Sequence, residues 1–268
     1  MSECLSAKWY DTVMLLTIDI GNTNIKIGVY QDARLTAHWR VTTERHRLAD
    51  EYLVLLHNLF DLNGIHPQRI KGCAVSCVVP PLTGEFRTLC REYFKVEPLM
   101  VTAATPTGLQ LKVDTPAELG ADRIANSLAA FRLYGGPVIV LAFGTATTFD
   151  VVTADGSYIG GAIAPGIGIS ADALFRLAAK LYQVELVRPP RVIGTNTIHH
   201  MQAGVILGYA GLVEGLVRRM QAELGTYCPV VATGGQAELI AAETEAITAV
   251  EPYLTLEGLR LIYELNRP

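Results

Sequence analysis

Residues 15–30 read LLTIDIGNTNIKIGVY, and residues 138–153 read VIVLAFGTATTFDVVT. Each is an apolar, β-branched run, then a short polar turn opened by glycine, then a second strand-like run. Aligning Gly21 with Gly144 places Asp19 opposite Ala142, Asn22 opposite Thr145 and Lys26 opposite Phe149, an offset of 123 residues in a chain of 268. A repeat of that length is too long for a solenoid. It is the spacing of a duplicated domain, with one strand–turn–strand unit in each copy.

The stretches outside the two hairpins supply helices. Residues 50–62, 118–134 and 201–224 carry apolar side chains at intervals of three and four. In the last of these, Gly204, Gly208, Gly211 and Gly215 are expected to allow close packing on one face. Residues 74–80, AVSCVVP, read as a core strand. Strand pairs alternating with helices predict an α/β fold of two lobes, each a mixed sheet flanked by helices. The composition breaks at Gly135-Gly136-Pro137, which divides the chain into lobes at 14–136 and 137–268. Residues 1–13, ahead of the first strand, are expected to be a disordered extension.

Composition narrows the classes. Half the residues are hydrophobic and 18% are charged, enough for a core and too apolar for a disordered chain. A net charge of −4 and no run of Lys and Arg argue against a nucleic-acid partner. No apolar stretch reaches the roughly 20 residues of a membrane span. The opening MSECLSAKWYDTV lacks a basic segment followed by an apolar one, so no signal peptide is expected. Five cysteines, with no paired metal-ligand spacing, read as buried small hydrophobes in a reducing, cytoplasmic setting.

Two glycine-opened hairpins facing one cleft are a physical way to hold a polyphosphate. Backbone N–H groups in a tight turn donate to its oxygens, and small residues let the backbone approach. Phosphoryl transfer further needs a metal, a cation on the moving phosphate and a base. Asp19, at a strand end, suits Mg²⁺, which prefers carboxylate and water oxygens; the alternative is a turn-forming residue. Lys26, on the returning strand, can reach a phosphate. In PAELGADRIAN, residues 116–126, Asp122 can act as a base toward an alcohol and Arg123 can clamp a carboxylate. The same two residues also fit an ordinary helix start, where the dipole favours Asp. VATGGQ, residues 231–236, reads as a strand-to-helix turn open to a ring or a phosphate. His199 and His200 are adjacent with no third ligand, and read as solvated or helix-start residues.

Taken in order, DIGNTNIKIGV, SCVVPPL, TGL at 107–109, PAELGADRIAN, FGTATTFDVV, GGAIAPGIGIS, IGTNT, MQAGVILGY, TGGQ and LTLEGL resemble the type III pantothenate kinases, of the acetate kinase–sugar kinase–Hsp70–actin superfamily. The resemblance runs from Met14 to the C-terminus. It implies two actin-like (ribonuclease H-like) lobes, ATP as co-substrate and transfer of its γ-phosphate to the primary alcohol of pantothenate, the first step toward coenzyme A. It implies a first phosphate loop of Asp19, Gly21, Asn22, Thr23 and Lys26 and a second of Gly144, Thr145, Ala146 and Thr147. Asp122 would be the base, with Gly120, Ala121 and Arg123 gripping pantothenate. Gly234 and Gly235 would line the nucleotide's base and ribose. Thr197 would reach pantothenate from the other subunit of a homodimer. The family uses Mg²⁺ and a monovalent cation, K⁺ or NH₄⁺.

Two positions depart from the family. The second loop there opens DFGTA, its Asp helping to hold the monovalent cation, and here that position is Ala142. Losing the carboxylate is expected to weaken the cation's site. Val113 stands where many members line the pantothenate pocket with Tyr. The rival readings are a regulatory relative that has lost catalysis and a kinase for another small carboxylated alcohol. Retention of Asp19, Lys26, Asp122 and Arg123 together favours the pantothenate kinase.

Overall fold

The computed structural model describes residues 13–178 and 180–267. Of the expected extension, only Val13 falls within them. From Met14 the chain runs through β1 (Met14–Ile20), β2 (Asn24–Gln31), β3 (Arg34–Thr42), α1 (Ala49–Leu62), β4 (Ile70–Cys77), α2 (Pro80–Glu92), β5 (Leu99–Met100), β6 (Gln110–Leu111) and α3 (Ala121–Tyr134). It continues through β7 (Val138–Phe143), β8 (Ala146–Val152), β9 (Ser157–Pro165), α4 (Ile167–Leu177) and α5 (Thr197–Gln202). A π-helical turn, Ala203–Leu207, leads into α6 (Gly208–Leu224), followed by β10 (Val230–Gly234), α7 (Ala237–Ala241), β11 (Ala249–Val250) and α8 (Leu254–Asn266).

Two compact units emerge. The first holds the described chain up to Gly108, Thr115–Ala129 and everything from Thr255 on; the second holds Leu109–Asp114 and Ala130–Leu254. This differs from a single division at 136/137, because the chain crosses more than once. Residues 110–111 pair with β9. The last helix returns to the first unit, where Gly258 abuts the Ala125 carbonyl of α3 and Tyr263 abuts Gly72 of β4.

In the first unit the sheet order is β3-β2-β1-β4-β5, with β4 parallel to β1 and the hairpin strands antiparallel. Alternation sends Leu16, Ile18, Ile20, Ile25, Ile27 and Val29 to one face, where they pack with Tyr52, Leu56 and Phe60 of α1 and Leu82, Phe86 and Leu89 of α2. Ala49, Tyr52, Leu56 and Phe60 form the buried stripe of α1. Two prolines, Pro80 and Pro81, open α2, where the lost N–H groups have no helical partner to satisfy. The opposite face of the sheet carries Thr17, Asp19, Lys26 and Gly28 and takes α8 against it. Cys73 and Cys90 meet in the core at 3.3 Å between sulfurs, and burial pushes the Cys73 thiol well above its usual range, consistent with a neutral, packing role.

The second unit repeats the plan. Its sheet, β11-β10-β7-β8-β9-β6, contains the same order of two antiparallel pairs and two parallel pairs, with β6 added at the edge. Ile139, Leu141, Phe143, Phe149 and Val151 pack with Tyr209, Val213 and Val217 of α6. Among the described residues of this chain the α6 glycines make no close packing contact. Gly208 and Gly211, like Gly204 in the preceding π-helical turn, have nothing within 4 Å of where a Cβ would stand, and Gly215 faces only the Arg219 guanidinium. They lie on the outward side, while Tyr209, Ala210, Val213 and Val217 face in. The helix stops at Gly225, whose φ of 69° suits a residue with no Cβ.

Candidate active site

The first hairpin brings Asp19 and Lys26 opposite one another, because β1 and β2 pair in that register. Cross-strand partners share a face, so the two side chains meet: Lys26 Nζ lies 3.3 Å from Asp19 Oδ2. Lys26 also donates to Thr255 Oγ1 at 3.2 Å. Asp19 is 4% exposed, and its second oxygen, Oδ1, has no hydrogen-bond partner among the described residues. Beside it, in register on β4, Ser76 has a buried hydroxyl in the same condition. Buried oxygens are rarely left unpaired. An unpaired carboxylate oxygen next to a hydroxyl is a donor set that fits a hard divalent cation, held directly or through water.

The turn itself, Gly21-Asn22-Thr23, is braced from the end of β3. Gly21 N–H donates to the Asn24 carbonyl at 3.1 Å, and Thr43 binds the loop twice, its hydroxyl to the Gly21 carbonyl at 2.7 Å and its N–H to the Thr23 carbonyl at 3.0 Å. The Arg45 guanidinium donates to Asn22 Oδ1 at 3.2 Å. Asn22 and Thr23 remain exposed. Thr43 and Arg45 carry no local pattern that marks them; only the strand pairing brings them here.

Also in the first unit, Gly120 stands immediately before α3 and its carbonyl accepts the N–H groups of Arg123 and Ile124. Asp122 folds back over it: a Cβ at Gly120 would lie 2.5 Å from Asp122 Oδ1. Ala121 is buried, whereas Asp122 and Arg123 are half-buried at the helix's first turn.

The second hairpin belongs to the other unit and differs by one residue. Two residues, Gly144 and Thr145, join β7 to β8, where three join β1 to β2. The register therefore pairs Ala142 with Thr148, as Asp19 pairs with Lys26. The structural counterpart of Lys26 is thus Thr148, and Phe149 points the other way, into the core. Gly144 and Thr145 are exposed and Ala146 is half-buried. Thr147 is buried, with its hydroxyl 3.1 Å from Tyr209 Oη. Two glycine contacts seat this loop. Gly166 N–H donates to the Thr145 carbonyl at 3.1 Å, and Gly235 N–H donates to the Phe143 carbonyl at 3.1 Å. Gly234, at φ 101°, lies so close to the Phe143 backbone that a Cβ has no room. Val113 lies beside Gly160 of β9, and Thr197 opens α5, exposed, behind Asn196, whose side chain caps the His199 N–H at 2.9 Å.

Position 142 does not fit a cation ligand. Its methyl group is flanked in register by Thr148 on β8 and Thr233 on β10, and the buried Thr233 hydroxyl has no partner among the described residues. The carboxylate on the same face of β8, Asp150, already accepts from Tyr158 at 2.6 Å and Thr148 at 3.2 Å. Among the described residues no group of three or more His, Cys, Asp or Glu could hold a metal, and no helix is long and apolar enough to cross a membrane.

The family model of the type III pantothenate kinases matches residues 15–219. The chain belongs to that family. A type III pantothenate kinase from Roseiflexus sp. (strain RS-1) is 90% identical over 254 residues, covering 95% of this chain and 100% of the relative. Among solved structures, a Campylobacter jejuni protein named for the Baf family of transcriptional activators superposes with a TM-score of 0.60 at 19% identity, covering 94% of this chain and 98% of that one. An inorganic polyphosphate/ATP-glucomannokinase from Arthrobacter sp. strain KM gives 0.53 at 14%, covering 95% and 100%. At such identities the likeness concerns the fold, which is the actin-like α/β fold of two duplicated lobes.

Proposed function

We propose that this chain carries out its family's reaction, ATP-dependent phosphorylation of pantothenate, through the residues described above. The observation that carries the assignment of roles is the Asp19–Lys26 pair at the mouth of the first hairpin, with Asp19 Oδ1 left unpaired. Gly21, Asn22 and Thr23 hold phosphate oxygens through backbone and side-chain donors, and Gly144, Thr145, Ala146 and Thr147 form the second loop, Thr147 by anchoring it to Tyr209. Gly234 and Gly235 accept the nucleotide's base and ribose.

Asp122 takes the proton from the primary alcohol of pantothenate as its oxygen attacks the γ-phosphorus. Arg123 binds the pantothenate carboxylate, with Gly120 and Ala121 beside it, and Val113 stands at a position assigned to substrate binding. Lys26 places its ammonium on the moving phosphoryl group, and the bond to the ADP oxygen breaks. Bound at Asp19, magnesium would supply charge neutralisation for the phosphate oxygens. No step is assigned to a monovalent cation, because Ala142 offers it no ligand. Thr197, exposed at the start of α5, reaches the substrate of a second copy in a cytoplasmic homodimer. Asp122→Asn should lower kcat by about 10²- to 10⁴-fold while leaving ATP affinity in place. A near-normal rate in that variant would overturn the assignment of the base.

A further inference from the structure

The motif LTLEGL opens α8, and the roles above leave it unused. Its Thr255 is 1% exposed and accepts a hydrogen bond from Lys26 at 3.2 Å. We infer that Thr255 is a positioning residue for phosphoryl transfer, acting through Lys26; this rests on the reading that Lys26 faces the phosphate.

An ammonium has three N–H donors and no acceptor. In Lys26 one is directed to Asp19 Oδ2 and one to Thr255 Oγ1. Tetrahedral geometry then fixes the direction of the third, on a side chain that is 30% exposed. With Asp19 alone, the ammonium would keep rotational freedom about that single contact. Two fixed acceptors turn a flexible four-carbon stem into an aimed donor.

Thr255 can serve as a fixed acceptor because α8 is seated by close contacts along its length. Leu256 Cδ1 comes within 3.0 Å of where a Cβ on Gly28 would stand, two residues along β2 from Lys26 on the same face. Gly258 lies against the Ala125 carbonyl, and the Tyr263 ring fills the space over Gly72. Arg260, 6% exposed, is held by Glu257 and Glu264, with its guanidinium 5.8 Å from the centre of the Tyr30 ring. Thr255 is also the first residue of the chain's return into this unit. The hydroxyl therefore ties the incoming helix to the hairpin at Lys26.

The test is steady-state kinetics of the full-length protein carrying Thr255→Val, which keeps the shape and removes the hydroxyl, and Thr255→Ser, which restores it. Thr255→Val should lower kcat about tenfold, equivalent to about 1.4 kcal/mol, with the KM for pantothenate within about twofold of the parent. Thr255→Ser should return kcat to within about threefold, and in a Lys26→Met background Thr255→Val should change kcat by less than about twofold. Thr255→Ala gives the same readout if the valine variant does not fold. Parental kcat in Thr255→Val, or a serine variant as slow as the valine one, would overturn the inference. So would a tenfold loss that persists without Lys26. A Lys26→Met variant with parental turnover would remove the underlying role of Lys26 itself, an outcome distinguishable from the others.

Discussion

Gly166→Ala should damage the proposed second phosphate loop without straining its own backbone. Gly166 has φ −65° and ψ 157°, a conformation any residue adopts, so the effect must be steric. An added Cβ would stand 2.9 Å from the Thr145 carbonyl carbon and closer still to the Gly144 and Thr145 oxygens, whereas ordinary contact begins near 3.4 Å. The carbon must withdraw by about 0.5 Å and the oxygens by roughly 1 Å, and overpacking of that kind costs about 1–3 kcal/mol. Those atoms are the loop itself, so the displacement falls on the groups proposed to meet the nucleotide, where a shift of about 1 Å can lower turnover about 10²-fold. Gly168→Ala is the control. It lies two residues on, in the first turn of α4, with nothing within 4 Å of its Cβ, and should leave turnover unchanged without lowering stability. ATP affinity by calorimetry, kcat and the thermal midpoint would be read for both. Parental ATP affinity and kcat in Gly166→Ala would refute the reasoning, as would equal losses in the two variants.

Two other outcomes follow from the same geometry. Turnover of the natural chain should be alike in K⁺, NH₄⁺ and Na⁺, whereas Ala142→Asp, which sets a carboxylate beside the unpaired Thr233 hydroxyl, should gain K⁺-specific stimulation and a K⁺-specific rise in thermal midpoint; K⁺ dependence in the natural chain would contradict this. Light scattering at micromolar concentration should give twice the 29.1 kDa chain mass, and a monomer would contradict the shared substrate site.

The duplication was legible because both copies keep the same apolar–glycine–apolar grammar, and period-2 and period-3.6 patterns mark their strands and helices. The details that were not legible depend on contacts distant in sequence. A one-residue difference in turn length changes which side chain of β8 faces as Lys26 does, and only the pairing of strands reveals Thr148 in place of Phe149. Thr255 lies 229 residues from Lys26, and Arg45 reaches Asn22 across a strand, so neither contact can be read from local sequence. The α6 glycines misled for a related reason: small residues at helical spacing permit close packing but do not require it. Position 142 was the reverse case, since Ala142 stood out in the sequence and the flanking threonines give it a structural context. The return of α8 to the first unit could not be read from composition, which breaks only at Gly135-Gly136-Pro137.

The most direct test of the central claim is ATP turnover by the purified protein with Mg²⁺, with and without pantothenate, alongside Asp122→Asn. Pantothenate-dependent formation of ADP and phosphopantothenate, lost in the variant while ATP still binds, is the predicted result. ATP binding without pantothenate-dependent turnover, or turnover with another carboxylated alcohol in its place, would contradict it.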